Sequence, residues 1–274
     1  MINEENEIIG LDFWSAFGEK LVQYMNLTLG ARILDIGTGG GACLIPAARI
    51  IGASGYIIGI DRWENQVAKT LENIKSNLLT NATAEIMDAN DLTYDNNTFD
   101  SVISGFIGFG DVFDFQNHKY RKENDKMKHI LRVLKPDGKT GFSTWQSQGE
   151  LDCLRKLLQD YLAKYTTKSK EDSNNVPISY SKETKEGFEK ILQDVGFNNV
   201  KVFSEDFILK YESVDEWFNM IKRSGWILHH TLDKDEKKIL DFKDKMLPHG
   251  ISSYKQKDGS YYFTKSVIFA FGTK

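Results

Sequence analysis

The sequence predicts an α/β fold, a doubly wound and mainly parallel sheet of seven strands with helices on both faces. Over residues 1–145, short apolar runs typical of buried strands alternate with longer amphipathic segments typical of helices. A cluster of glycines directly follows the first such run, as it does where a strand turns sharply into a helix. Alternation at this interval favours right-handed crossovers between parallel strands.

The individual elements follow from the spacing of apolar residues. Aromatic and aliphatic residues recur at helical intervals from Phe13 to Met25, which predicts a helix over residues 11–26. Further helices are predicted after the glycine cluster and over residues 64–77 and 122–134. The predicted parallel strands are residues 32–36, 56–61, 84–88, 99–106 and 140–145.

The character of the chain changes after residue 145. A helix over residues 151–165 begins a predicted helical insertion after the fifth strand, and the polar stretch 166–180 is predicted to be a loop. Later helices are predicted around residues 188–195, 214–223 and 233–247, and later strands at 200–211 and 261–271. Without a repeat or a domain linker, we expect one domain over residues 1–274. Residues 1–145 would form its cofactor-binding half, and residues 146–274 its variable, substrate-covering half.

Composition narrows the function. The net charge of −4 argues against a nucleic-acid partner, and no apolar run reaches the ~20 residues that a membrane-spanning helix needs. Cys43 and Cys153 match no metal or redox spacing, and no other cluster has metal-ligand spacing. The acidic N-terminus lacks the basic and then apolar order of segments that is typical of a signal peptide. We therefore expect a cytoplasmic protein without a metal, whose oligomeric state the sequence does not indicate.

The glycine cluster at residues 37–41 would let the backbone approach a ligand closely. It also fits the dinucleotide pattern G-x-G-x-x-A, so the glycines alone do not exclude a nicotinamide-dependent oxidoreductase. Asp35, two residues before the first glycine, would repel a pyrophosphate and attract a cationic amino group. S-adenosylmethionine carries an ammonium and a sulfonium and no phosphate, so Asp35 favours that cofactor over NAD.

Two further carboxylates follow the next strands. Asp61 ends the second strand, where an acidic residue accepts the ribose hydroxyl protons of an adenosine cofactor. Asp88 ends the third strand, where it could accept a hydrogen bond from an adenine amino group. Carboxylates at the C-terminal ends of three successive parallel strands face one crevice, where such sheets bind ligands.

The sequence resembles the class I, Rossmann-like S-adenosylmethionine-dependent methyltransferases, in particular the branch of quinone-biosynthesis C-methyltransferases and small-molecule methyltransferases. The matching segments are residues 33–41, 61, 88–92, 98–100 and 131–138, so the resemblance covers about residues 10–145. The resemblance implies a cofactor site made of Asp35, Gly37, Thr38, Gly39, Gly41, Asp61, Arg62, Asp88, Ala89, Ser104 and Gly105. It also implies an antiparallel pair of the two late strands at one sheet edge, hence one antiparallel edge strand.

In that implied site, the methionine end of the cofactor lies against Asp35 and the glycines, and the ribose lies on Asp61. Adenine lies near Asp88 and Ala89. The backbone at Ser104 and Gly105 holds the amino group of the cofactor.

The acceptor is less determined than the cofactor. A sulfonium is already an activated leaving group, so positioning suffices for much of the catalysis and no universal catalytic residue is expected. His229 and His230 are candidate bases, although such a pair is more often structural. Several aromatic residues could form an apolar wall for the acceptor, or could instead belong to the hydrophobic core. They are Trp14, Phe17, Phe106, Phe109 and Trp145.

The predicted activity is transfer of a methyl group from S-adenosylmethionine to a small-molecule acceptor by in-line displacement, which leaves S-adenosylhomocysteine. Whether carbon, oxygen or nitrogen is methylated stays open. One alternative is a non-enzymatic cofactor-binding or regulatory protein on the same fold. Another is an RNA or protein methyltransferase, which the net charge and the absence of an Asn-Pro-Pro-aromatic signature at residues 104–107 disfavour.

Overall fold

The computed structural model describes residues 6–8, 13–166, 176, 183–224 and 226–274. Its strands are β1 (Glu7–Ile8), β2 (Arg32–Ile36), β3 (Tyr56–Asp61), β4 (Ala82–Ile86), β5 (Phe99–Gly105), β6 (Phe113–Asp114), β7 (Lys119–Tyr120), β8 (Leu134–Gln148), β9 (Asn198–Tyr211) and β10 (Tyr261–Thr273). Its helices are α1 (Phe13–Met25), α2 (Leu44–Ile51), α3 (Glu64–Ser76), α4 (Asp125–Val133), α5 (Gly149–Tyr165), α6 (Lys185–Val195), α7 (Val214–Ser224), α8 (Trp226–Thr231) and α9 (Glu236–Gly250).

The main sheet has the strand order β1-β9-β10-β8-β5-β2-β3-β4. All pairs from β8 to β4 are parallel, whereas β10 is antiparallel to both β8 and β9. The predicted mainly parallel sheet with one antiparallel strand towards an edge is therefore confirmed, and so is the antiparallel pair of late strands. The structure adds β1, a two-residue strand that pairs with β9 and is too short for a periodic signal.

Helices cover both faces of the sheet, because successive strand residues point to opposite sides. In β2, Ile33 packs with α1 and α2 on one face, whereas Leu34 and Ile36 pack with α4 and α6 on the other. Asp35 follows the alternation of Ile33, which directs its side chain towards the face of α1 and α2. The predicted cofactor carboxylate therefore belongs to the same layer as the N-terminal helix.

A third hydrophobic cluster lies beyond the crevice and consists mainly of α5, α7, α8 and α9, which we call the helical cap. Trp217 and Phe242 are fully buried in it, and Phe263 of β10 joins it to the sheet. The insertion predicted after the fifth strand is α5, while α7 to α9 follow β9. Apart from residues 166 and 176, the predicted polar loop 166–180 lies outside the described residues.

Local capping sets the helix boundaries. The prediction starts a helix at residue 122, but α4 begins at Asp125 because the side chain of Asn124 accepts the N–H of Met127 at 3.3 Å. Thr184 caps α6 in the same way, and Gly196 ends that helix with a left-handed φ of 108°. Among the described residues, no helix is long and apolar enough to span a membrane.

Candidate cofactor and acceptor site

The crevice at the C-terminal ends of β2 to β5 holds two adjoining cavities. One has a volume of about 740 Å³ and reaches Asp88, and the other has a volume of about 550 Å³ and reaches Asp35. We call them the Asp88 cavity and the Asp35 cavity. Both are lined by Gly37, Asp61, Trp63, Gly105 and Phe106. The three predicted carboxylates therefore do lie along one continuous crevice.

Two side chains of α3 hold the glycine loop through hydrogen bonds to its carbonyls. Thr70 donates its hydroxyl to the carbonyl of Gly39 at 2.5 Å, and Asn73 donates its amide to the carbonyl of Gly40 at 2.9 Å. Gly37 has a left-handed φ of 71°, and a Cβ on it would lie 2.2 Å from the side chain of Ile107. A side chain at that position would be strained and would also collide, so the glycine is required there.

Asp35 is buried, with 1% of its surface exposed, and lines the Asp35 cavity. Thr38 donates its hydroxyl to Asp35 Oδ2 at 2.7 Å. Burial raises the pKa of Asp35 to about 7, hydrogen bonds from Thr38 and the backbone of Leu44 oppose that rise, and the charge of Asp61 adds to it. The carboxyl group is therefore poised between its two protonation states near neutral pH.

Gly59 supports this arrangement, and the sequence analysis did not identify it. It pairs with Asp35 across β2 and β3. A Cβ on Gly59 would lie 2.8 Å from Thr38 Oγ1 and 2.7 Å from the side chain of Leu44. The missing side chain therefore makes room for the hydroxyl that bonds Asp35. The available signal was a glycine interrupting an otherwise apolar strand, which often marks close backbone approach.

Asp61 ends β3 as predicted and lines both cavities. Its Oδ2 accepts the N–H of Gly39 at 3.1 Å, and its Oδ1 accepts the N–H of Trp63 at 3.0 Å. A carboxylate has about four acceptor positions, so both oxygens keep capacity for ligand hydroxyls. The neighbouring Arg62 lines the Asp88 cavity, and its guanidinium lies 5.0 Å from the Trp63 ring.

Asp88 lies two residues after β4 and lines its cavity together with Ala89. The backbone N–H and the side-chain amide of Asn90 each donate to Asp88 Oδ1 at 2.8 Å. These hydrogen bonds, the backbone one first, hold the pKa of Asp88 below its usual range despite partial burial. Asp88 is therefore ionised at neutral pH and can accept a donated hydrogen bond.

Two of the residues predicted to bind the cofactor lie behind the surface of the crevice, where they shape the backbone. Ser104 is buried near the end of β5 and donates its hydroxyl to the carbonyl of Ile36 at 2.8 Å, which ties β5 to β2. Gly41 has a left-handed φ of 87° and turns the chain towards α2. Neither residue lines the two cavities, whereas Gly105 lines both.

Four of the five predicted acceptor residues form one aromatic cluster at the Asp35 cavity, whereas Phe109 packs with Phe142 and Phe188 in another part of the core. The Trp145 ring lies 4.2 Å from the Phe106 ring, 5.7 Å from Trp14 and 5.3 Å from Phe17, between centroids. Trp14 and Phe106 line the cavity, and Trp14 is 47% exposed. Phe17 and Phe109 are buried and line neither cavity. Trp145 does not end its strand as predicted, because β8 continues to Gln148.

The two candidate histidines lie in α8, in the helical cap. His229 Nε2 lies 2.6 Å from the carbonyl of Lys222, and neither histidine lines the cavities. In the part of the chain that the structure describes, no group of His, Cys, Asp and Glu could hold a metal ion. The charged groups that line the crevice are thus the carboxylates and a few basic side chains.

The methyltransferase domain family matches residues 27–196, which is more than half of the chain. The aklanonic acid methyltransferase DauC of Streptomyces sp. strain C5 is 33% identical over 98 residues. That match covers 36% of this chain and 44% of the relative, so the chain spans about half the length of that curated relative.

One further relative and one solved structure are matched over greater lengths. The demethylmenaquinone methyltransferase of Staphylococcus carnosus is 28% identical over 207 residues, 73% of this chain and 81% of the relative. The YcgJ protein of Bacillus subtilis has the same fold, with a TM-score of 0.57, 16% identity and coverage of 94% and 98%.

The family match extends from the residues before β2 to the end of α6, and so includes the glycine loop and all three carboxylates of the crevice. The predicted resemblance to class I methyltransferases is confirmed by it, as is S-adenosylmethionine as the cofactor. The chain belongs to the methyltransferase domain family.

Proposed function

We propose that this protein transfers the methyl group of S-adenosylmethionine to a small-molecule acceptor by in-line displacement. The observation that carries the proposal is the row of three carboxylates along two adjoining cavities, with the glycine loop between them. When bound, the cofactor supplies an electrophilic methyl group on a sulfonium. The residues of the chain bind and orient the reactants.

Asp35 and the glycine loop bind the methionine end in this proposal. The cationic amino group gains from the carboxylate of Asp35, and binding it draws Asp35 towards its ionised form. A pyrophosphate in the same cavity would meet two carboxylates, Asp35 and Asp61, and a single basic residue among the described lining residues, Lys69. This charge arrangement supports S-adenosylmethionine over a nicotinamide dinucleotide.

Asp61 and Asp88 bind the nucleoside end in this proposal. The remaining acceptor positions of Asp61 suit the two ribose hydroxyls, and Asp88 suits the adenine amino group as a pure acceptor. The methyl group would then lie near Gly37 and Gly105, where the two cavities join. These residue roles are proposals that rest on the chemistry of the lining groups.

Trp14 and Phe106 form the acceptor wall in this proposal, and Trp145, which lines neither cavity, packs against both of them. A flat, apolar acceptor fits this wall best. Two relatives are named for their action on aklanonic acid and on demethylmenaquinone. The net charge of −4 supports a small molecule over a nucleic acid. The two buried free thiols suit a reducing cytoplasm.

Titration calorimetry with S-adenosylmethionine, S-adenosylhomocysteine and NAD tests the proposed cofactor binding. We expect micromolar binding of the first two and none of NAD. Binding of NAD alone would refute the role of Asp35, and absence of binding by all three would favour a non-enzymatic protein. A screen of acceptors then tests the aromatic wall, and turnover of only highly charged, polar acceptors would contradict a flat, apolar acceptor.

Asp61→Ala tests the proposed ribose contact in the same calorimeter. We expect S-adenosylhomocysteine binding to weaken by roughly 1–3 kcal/mol, because hydrogen bonds to a charged acceptor are lost. Asp91→Ala is the matched control, since Asp91 is an exposed aspartate nearby that lines neither cavity. Equal affinities of the two variants would remove Asp61 from the site.

A further inference from the structure

The segment 106–111 forms one side of the Asp88 cavity, and we call it the crevice loop. Gly108, Gly110 and Asp111 line the Asp88 cavity and not the Asp35 cavity. Phe106 at its start has a left-handed φ of 60°, a backbone conformation that costs energy for a residue with a side chain. The loop therefore needs outside contacts to keep this shape, and two buried charged residues supply them.

Glu183, just before α6, is the first of these residues and is 1% exposed. Its Oε1 accepts the N–H of Phe109 at 2.6 Å. The backbone N–H of Glu183 donates to the carbonyl of Trp145 at 3.3 Å. Glu183 thus ties the middle of the crevice loop to the central strand β8.

Glu183 also fits closely against the loop. Its Oε1 lies 3.5 Å from the position that a Cβ on Gly108 would take, and Gly108 has a left-handed φ of 67°. Burial raises the pKa of Glu183, so holding a carboxylate here costs stability that an apolar residue would not cost. The hydrogen bond to the loop accounts for its presence.

Lys126, in the first turn of α4, is the second residue and is 7% exposed. Its Nζ donates to the carbonyl of Gly108 at 3.2 Å and lies 4.6 Å from the ring centroid of Phe109. Lys126 lines the Asp88 cavity as well. The loop is therefore held at the carbonyl of Gly108 by a cation from α4, and at the N–H of Phe109 by an anion that precedes α6.

We propose that Glu183 and Lys126 are positioning residues for the nucleoside end of the cofactor, because they fix the backbone of the crevice loop as a wall of the Asp88 cavity. This inference rests on the proposed function, since it takes the Asp88 cavity as the nucleoside site. Neither residue needs to touch the ligand for this role. Their substitution should weaken nucleoside binding in proportion to the loss of loop order.

Calorimetric titration of Glu183→Ala with S-adenosylhomocysteine tests the proposal. We expect the dissociation constant to rise at least tenfold, because the N–H of Phe109 in the crevice loop loses its acceptor. Glu183→Gln keeps an acceptor oxygen for Phe109 and should stay within about threefold of the wild type. Lys126→Met, which keeps the length of the side chain, should weaken binding severalfold, because the carbonyl of Gly108 loses its donor.

A fragment of the cofactor identifies the end on which the loop acts. 5′-Methylthioadenosine carries the nucleoside without the amino-acid group, so Glu183→Ala should weaken it by the same factor as S-adenosylhomocysteine. Loss of affinity for S-adenosylhomocysteine alone would overturn the proposal. Hydrogen exchange at Phe109, measured without ligand, should become faster in Glu183→Ala, and unchanged protection would also overturn the proposal.

Glu150→Ala and Glu150→Gln are the matched controls. Glu150 is likewise 1% exposed, but it pairs with Lys265 beside the helical cap and lines neither cavity. If these variants weaken S-adenosylhomocysteine binding as much as the Glu183 variants, the effect is general destabilisation and the proposal is wrong. Absence of binding by the wild-type protein would instead refute the proposed function, and unchanged binding in Glu183→Ala would refute only the positioning role.

Discussion

Asp35 shows how burial of a single carboxyl group makes both stability and binding depend on pH. Its pKa is about 7 in the folded protein, against 3.8 for an exposed aspartate. Between these two values the folded chain holds a proton that the unfolded chain has released. Stability therefore falls as the pH rises through this range, and the full cost is present above about pH 7.

Asp35→Asn should remove that dependence, because an amide does not ionise. At about pH 8 we expect the variant to be more stable than the wild type by up to roughly 4 kcal/mol, and at about pH 4 by little. Urea denaturation at both pH values measures the difference. The same variant should bind S-adenosylhomocysteine more weakly at neutral pH, because the charge that favours the amino group is gone.

An equal stability difference at the two pH values would mean that the pKa of Asp35 is not raised in the folded protein. Retention of wild-type affinity would mean that its charge does not contribute to binding.

At the scale of elements, the glycine loop is shaped by its neighbours as much as by its own residues. Helix α3 holds its carbonyls through Thr70 and Asn73. Strand β3 provides the space for Thr38 at Gly59. The elements on either side of the loop therefore determine where Asp35 and Asp61 lie relative to each other.

Gly59→Ala should destabilise the protein by about 1–3 kcal/mol, because the added methyl group would overlap Thr38 and Leu44 in a packed interior. Gly40→Ala is the matched control in the same region, since its Cβ would meet only the flexible end of Lys69, at 3.2 Å. We expect that control to change the free energy of unfolding by less than about 1 kcal/mol. Denaturant melts compare the two, and equal costs would contradict the role of Gly59.

At the scale of the whole molecule, a buried lysine joins helix α5 of the helical cap to the aromatic residues Phe13 and Trp145. Lys265 of β10 is 2% exposed, pairs with Glu150 of α5, and donates to Gln148 Oε1 at 2.6 Å. Its Nζ lies 4.5 Å from the ring centroid of Trp145 and 4.9 Å from that of Phe13. Burial lowers the pKa of Lys265, and the charge of Glu150 opposes that effect.

Lys265→Met should cost about 3–5 kcal/mol of stability, because the buried Glu150 carboxylate loses its partner. The double variant Lys265→Met with Glu150→Leu should be close to the wild type in stability or above it, since an apolar pair avoids desolvation of both charges. Thermal or denaturant unfolding of the three proteins decides this. A double variant as unstable as Lys265→Met would mean that the pair contributes net stability.

The sequence by itself determined the parallel sheet, the order of its elements, the cofactor and the three carboxylates along the crevice. It could do so because strand and helix periodicity, glycines after a strand and carboxylates at strand ends are local patterns. Asp61 ends its strand as predicted, and Asp88 lines the crevice although its strand ends two residues earlier than predicted, at Ile86.

Only the tertiary structure decided which side chains cooperate across the chain. Glu183 meets the crevice loop 74 residues away from it, and Lys265 meets Gln148 at a separation of 117 residues. It also separated Trp14 and Phe106, which line the crevice, from the buried Phe17 behind them. No local pattern encodes such contacts, because they depend on how distant elements pack, and packing is a property of the complete fold.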